Sequence, residues 1–191
     1  MKRIILGLKT ISDYMLQQNE EFHIVRKDYG SFGYKWAKGV TALVKLYNIN
    51  SIIDFGAGKK TLEKSIDMDI QSYDPAFDGP EPNLTPADLL VCTHVLEHVE
   101  PEFLSSTLEY LNTLTKKVFL IAVDNGVSGK ILPDGTESNL IQKNMTWWQA
   151  QLETAFNTSV INIDRQLFIK KGQIKQITSQ DKGTFIGCRN Q

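Results

Sequence analysis

Two short stretches carry residues whose types and spacing could do chemistry. The first is S-I-I-D-F-G-A-G-K-K-T-L, from Ser51 to Leu62. The β-branched pair Ile52 and Ile53 runs into Asp54, and Gly56 and Gly58 follow at alternate positions. That order predicts a buried strand breaking into a glycine loop that opens a helix. Glycine lets a ligand approach the backbone because no Cβ intervenes. A helix start offers unpaired N–H groups to a carboxylate or phosphate. The second stretch is H-V-L-E-H-V, from His94 to Val99. On a helix, His94 and His98 share a face, with Glu97 between them. Two imidazoles and a carboxylate can exchange protons with a substrate or hold a divalent ion.

A further acid, Asp74, lies twenty positions after Asp54 and ends the apolar run Ile70 to Tyr73. A carboxylate at the end of a second strand accepts both hydroxyls of a ribose.

Alternating elements must position these groups. Helices are predicted over about 10–26 and over 34–47, the latter with Trp36, Val40, Leu43, Val44 and Tyr47 on one face. Strands follow at 51–55, 70–73, 88–93 and 118–123, with a short helix through Ile66 after the glycine loop. Pro101 suits the first position of a helix that runs to about Leu114. Residues 124–143 form a long polar loop, and 147–156 a helix. Residues 160–169 and 184–189 read as a closing antiparallel pair. Strands alternating with helices imply a mostly parallel sheet covered on both faces, with ligands at the strands' carboxyl ends.

The 191 residues are 41% hydrophobic and 23% charged with a formal net charge of −1, the profile of one ordinary globular domain. Such a balance draws the chain neither to nucleic acid nor to an anionic membrane. Residues 1–33 read as an N-terminal helical segment and 34–191 as the main domain. Where the two meet, D-Y-G-S-F-G-Y at 28–34 is either a turn with core aromatics or a lid over a ligand. Cys92 and Cys188 read as small core residues in a reducing compartment. The apolar run at Ile4 stops at Lys9, short of an export signal or membrane span, so a cytoplasmic location is expected.

Three motifs in order resemble those of the class I S-adenosylmethionine (SAM)-dependent methyltransferases: D-F-G-A-G-K-K at 54–60, Y-D-P at 73–75 and D-L-L-V-C-T-H-V-L-E-H-V at 88–99. The resemblance covers about residues 34–191. It implies an α/β fold, a Rossmann-like three-layer αβα sandwich whose mostly parallel sheet ends in an antiparallel hairpin. By the same resemblance, Asp54, Gly56 and Gly58 frame the methionine part of SAM and Asp74 holds the ribose. Phe77 flanks the adenine, and Thr93 and His94 line the methyl-transfer mouth. Two departures stand out. Lys60 occupies the place of the usual third glycine, where it either pairs with the SAM carboxylate or intrudes on its space. Only fourteen positions separate Asp74 from Asp88, too few for a helix, a strand and a second helix, so the sheet is expected to lack one edge strand.

H-x-x-E-H formally matches an inverted zinc-peptidase motif, but its place after a buried strand opposes that reading. It is more similar to the E-x-x-E-H segment of metal-assisted methyltransferases, which implies a possible divalent metal on His94, Glu97 and His98. His94 and His98 are the candidate catalytic bases. His23 reads as an exposed helical residue. The tandem Trp147 and Trp148 either pack the core or stack on a planar acceptor. The chain lacks D-P-P-Y and a Pro-Cys nucleophile. A small-molecule or glycan hydroxyl is therefore the favoured acceptor, ahead of nucleic acid. Two other readings stand beside this one: a non-catalytic module with weak SAM affinity, and a nicotinamide oxidoreductase.

Overall fold

The computed structural model describes residues 9–80, 82–178 and 182–189. Helix α1 (Asp13–Val25) starts where the Ser12 hydroxyl accepts from the Met15 amide, and α2 (Ala37–Tyr47) follows a short 3-10 turn at Gly33–Trp36. Left-handed Asn48 ends α2, its N–H donating to the Val44 carbonyl. Strands β1 (Ile52–Phe55), β2 (Ile70–Tyr73), β3 (Ala87–Thr93) and β4 (Thr115–Asp124) come next. They are interleaved with the single turn α3 (Pro75–Asp78) and with α4 (Leu104–Leu114). The chain closes with α5 (Met145–Phe156), β5 (Val160–Asn162), α6 (Arg165–Lys171) and β6 (Lys182–Cys188).

The sheet order is β2-β1-β3-β4-β6-β5. Strands β1 to β4 run parallel; β6 is antiparallel to both β4 and β5. Successive residues on the central strands face opposite layers. Ile53, Leu90 and Phe119 pack under α4 and α5, where Leu111, Trp148 and Leu152 are fully buried. Ile52, Leu89 and Leu120 pack under α2 and α6, against Val40, Leu43 and Phe168. Burial on both faces explains why the strands read as continuous apolar runs. Between β2 and β3 the described residues hold only α3, as expected of a sheet short of one edge strand, and the sheet has six strands. From β1 the chain moves outward to β2 and then returns across to β3. Strand order thus reverses at the carboxyl ends of β1 and β3, where open α/β sheets place ligands.

Three expectations are corrected. No α-helix follows the glycine loop: turns lead to a 3-10 turn at Glu63–Ser65. The segment expected as strand 160–169 is strand only to Asn162. From Arg165 it is helix α6, capped by the Asp164 carboxylate accepting from the Leu167 amide and stopped by left-handed Gly172. Residues 94–99 are not the start of an α-helix either. His94 is left-handed (φ 58°), and a single 3-10 turn spans Leu96–His98.

Met15 and Phe22 of α1, with Ile11 just before the helix, pack against Leu132 of the 124–143 loop. Its C-terminal continuation, residues 27–34, is bonded onto the glycine loop. The Lys59 amide donates to the Gly30 carbonyl (2.9 Å) and the Thr61 hydroxyl to that of Ser31 (3.2 Å). The Tyr34 amide donates to the Thr61 hydroxyl (3.2 Å) and the Lys59 ammonium to the Lys27 carbonyl. No described helix is long and apolar enough to cross a membrane.

Candidate active site

A cavity of about 370 Å³ opens at the switch point between β1 and β3, within the range of small-molecule sites. Asp54, Gly56, Gly58, Asp74, Thr93 and His94 all line it, and so does His98. Seven of the positions singled out from sequence therefore share one wall. Lys60 and Phe77 are placed otherwise. The Lys60 ammonium is paired with Asp78 at 2.7 Å, and half-exposed Phe77 sits edge-on to the His23 ring with centroids 4.7 Å apart.

The glycine loop is held by its own backbone and by Asp74. The amides of Gly56 and Ala57 donate to the Tyr73 carbonyl (2.8 and 3.0 Å), and that of Gly58 donates to Asp74 Oδ2 (2.9 Å). Lys59 donates to Gly30, and Lys60 to the Ala57 carbonyl (3.0 Å). Every N–H from 56 to 60 is engaged, so the loop offers no free donor to a ligand anion, contrary to the expectation of unpaired helix-start amides. Its glycines answer to close packing. Gly58 has φ 51°, and a Cβ there would lie 2.4 Å from the Gly30 carbonyl oxygen. Gly58→Ala should therefore cost about 1–3 kcal/mol, read as a lower midpoint in a urea melt.

The ligand-facing wall is instead rich in acceptors. Asp54 is buried, and among the described residues no donor hydrogen-bonds its carboxylate. Burial, with Asp74 and Glu63 nearby, pushes its pKa up to about 7. Asp74 accepts from Gly58 with one oxygen and from Ala76 with the other (3.0 Å). Burial raises its pKa too, although those two hydrogen bonds oppose the rise. Each Asp74 oxygen keeps a second lone pair for a ligand hydroxyl.

At the far end, left-handed His94 follows β3. Left-handed backbone is sparsely populated by non-glycine residues and gathers at functional sites. The His94 Nδ1 lies 3.2 Å from Glu97 Oε1 and 3.5 Å from Asp124 Oδ2, and Arg165 Nη1 lies 3.4 Å from its Nε2. A guanidinium can only donate, so Nε2 is the acceptor, and the ring proton on Nδ1 faces the carboxylates. Glu97 is buried. Burial would raise its pKa, but the hydrogen bond from His94 and the nearness of both imidazoles outweigh that and lower it. Asp124 is lowered the same way, against its burial, by His94 and Arg165.

His98 lies outside this cluster. Its Nδ1 donates to the Ser138 carbonyl at 2.7 Å, which leaves Nε2 as an acceptor. The structure does not bring the expected metal set of His94, Glu97 and His98 within reach of one ion, and residues 94–99 lack the α-helix on which an i, i+4 pair shares a face. Among the described residues the group close enough for one ion is His94, Glu97 and Asp124, with ligand atoms within 4.8 Å of one another. That set does not suit a divalent ion while Arg165 is seated, since Nη1 is bonded to Asp124 Oδ1 at 2.7 Å. Metal on Nδ1 would also move the imidazole proton to Nε2, where it would face the guanidinium donor to donor.

Reading the sequence alone missed Arg165 and the packing of His23. His23 is half-buried in the cavity wall between Tyr29 and Phe77 rather than exposed, and burial and Lys59 take its pKa down to about 4. Trp148 is a core residue, while Trp36 is the tryptophan that lines the cavity, its ring 6.0 Å from His94.

No protein-family model matches the chain, and no curated protein matches it in sequence. Solved structures do match. Burkholderia thailandensis 1,6-didemethyltoxoflavin-N1-methyltransferase, with bound S-adenosylhomocysteine (SAH), is 12% identical; the match covers 93% of this chain and 89% of that one at a TM-score of 0.58. Magnesium protoporphyrin IX methyltransferase from Synechocystis PCC 6803, with bound SAM, is 12% identical, with 92% and 97% covered at 0.55. Mitomycin 7-O-methyltransferase is 12% identical, with 92% and 60% covered at 0.58. The chain has the fold of the class I SAM-dependent methyltransferases.

Proposed function

We propose that this protein transfers a methyl group from SAM to a hydroxyl of a small molecule or glycan. The observation that carries this reading is the single cavity joining acceptor-lined strand ends, Asp54 and Asp74, to two histidines, His94 and His98. The structural neighbours named above include two methyltransferases crystallised with SAM or SAH, and one O-methyltransferase.

SAM carries an ammonium, a sulfonium and a ribose diol, all complementary to a wall of carboxylates. Asp54 takes the ammonium, and the spare lone pairs of Asp74 take the ribose hydroxyls. Bound there, SAM supplies a methyl group on a positively charged sulfur, open to in-line attack by an oxygen lone pair. His98 accepts the proton of the acceptor hydroxyl at Nε2, with the Ser138 carbonyl fixing its tautomer. Trp36 gives a planar acceptor an apolar wall. Much of the remaining catalysis is positioning.

A panel of phenols, catechols and sugars incubated with methyl-labelled SAM tests the acceptor. Label recovered in a methyl ether supports the proposal, and label only on nitrogen, sulfur or carbon overturns it. The engaged amides of 56–60 favour a second reading, a methyltransferase-like module of weak SAM affinity. SAH binding no tighter than millimolar, with no label transferred, would select it.

A further inference from the structure

We propose that Arg165 is the built-in cation of the His94–Glu97–Asp124 cluster, holding the charge position a divalent ion would otherwise fill, so that the site works without metal. The inference rests on the methyltransferase reading only for its link to activity; its geometry stands independently.

All five N–H donors of Arg165 are accounted for. Nε donates to the Thr184 hydroxyl (2.9 Å), and Nη2 donates to the carbonyls of Val123 (2.8 Å) and Gly183 (2.6 Å). Nη1 donates to Asp124 Oδ1 (2.7 Å) and to His94 Nε2 (3.4 Å). The guanidinium is therefore fixed by β4 and β6 at the carboxyl end of β4, and Trp36 stacks beneath it at 5.8 Å. Two carboxylates, Glu97 and Asp124, converge here with His94 Nδ1 between them. Glu97 Oε2 is buried, with no hydrogen-bond partner among the described residues. Two buried or half-buried anions side by side need a cation. In this chain it is covalently supplied, by a residue whose planar fork can serve one carboxylate and one imidazole at once. Arg165 is in these terms a positioning residue: it sets the His94 tautomer and neutralises Asp124, and both sit in the cavity wall.

Manganese supplies the test, read by water-proton relaxation and by thermal melting, with SAH calorimetry on the same samples. Wild-type protein should show no binding and no shift in Tm at millimolar Mn²⁺. Arg165→Met opens the cluster and should bind Mn²⁺ at least tenfold more tightly than wild type, with a rise in its own Tm on adding the ion. Arg165→Lys retains a positive charge and should stay unresponsive. Micromolar Mn²⁺ binding by the wild type that is lost in Glu97→Gln would overturn the proposal. So would a folded Arg165→Met that gains no affinity. If Arg165→Met fails to fold, the wild-type titration and the Lys variant decide alone. SAH binding reports separately on the methyltransferase reading, since its loss would not alter the Mn²⁺ result.

Discussion

Replacing His98 by glutamine should lower kcat roughly 10²- to 10⁴-fold while leaving SAH affinity within about twofold, the range typical of losing a general base. The Ser138 carbonyl accepts the Nδ1 proton at 2.7 Å, so the lone pair available to a substrate proton is on Nε2. Glutamine can still donate to Ser138 but has no comparably basic nitrogen. The defect should therefore appear in the chemical step and not in cofactor binding. Single-turnover kinetics with labelled SAM, beside SAH calorimetry, separate the two. A loss under fivefold, or one shared equally by SAH affinity, would remove His98 from the role of base.

The second large effect concerns Asp54. Its carboxylate is buried, unbonded by the described residues and titrates near 7, so it is ready to be ionised by a cationic ligand. Pairing with an ammonium requires the charged form. SAH affinity should thus fall as pH drops below about 7, by up to tenfold per unit, and Asp54→Asn should bind weakly and without that pH dependence. Stability should move the other way. A carboxyl whose folded pKa lies above its unfolded value of 3.8 favours folding when protonated, and that contribution is lost as pH rises through about 7. Asp54→Asn should then stabilise the unliganded protein by on the order of 2–4 kcal/mol at pH 8, a gain that shrinks toward pH 4. Urea melts across pH check this, and an equal or lower midpoint for the variant at pH 8 would contradict it.

The parallel core of the fold was legible because its strands are buried on both faces and bounded by turn residues. Ile52–Phe55, Ile70–Tyr73 and Ala87–Thr93 announce themselves by composition alone. The missing edge strand was legible from chain length, since fourteen positions cannot cross the sheet twice. Helix α6 was missed because its apolar residues, Leu167, Phe168 and Ile169, are contiguous and imitate a strand; the better signal was Asp164 at one end and Lys170-Lys171-Gly172 at the other. Misplacing α6 hid Arg165, whose partners on β4 and β6 are distant in sequence. Asp54 and Asp74 could be nominated because strand ends are local features, and His98 because H-x-x-E-H is a local spacing. The company of His94 could not, because left-handed His94 breaks the i, i+4 geometry that the spacing suggested. The glycine loop teaches a similar lesson. Its glycines were read as room for a ligand, whereas Gly58 makes room for Gly30, a long-range contact with no local sequence trace.

The most direct test of the central claim is calorimetric titration of the ligand-free protein with SAH at pH 8. The cavity at the ends of β1 and β3, with Asp54 ionised and Asp74 holding the loop, predicts one site of micromolar affinity. Folded protein that gives no binding heat and no change in Tm at millimolar SAH would contradict the assignment of that cavity to SAM.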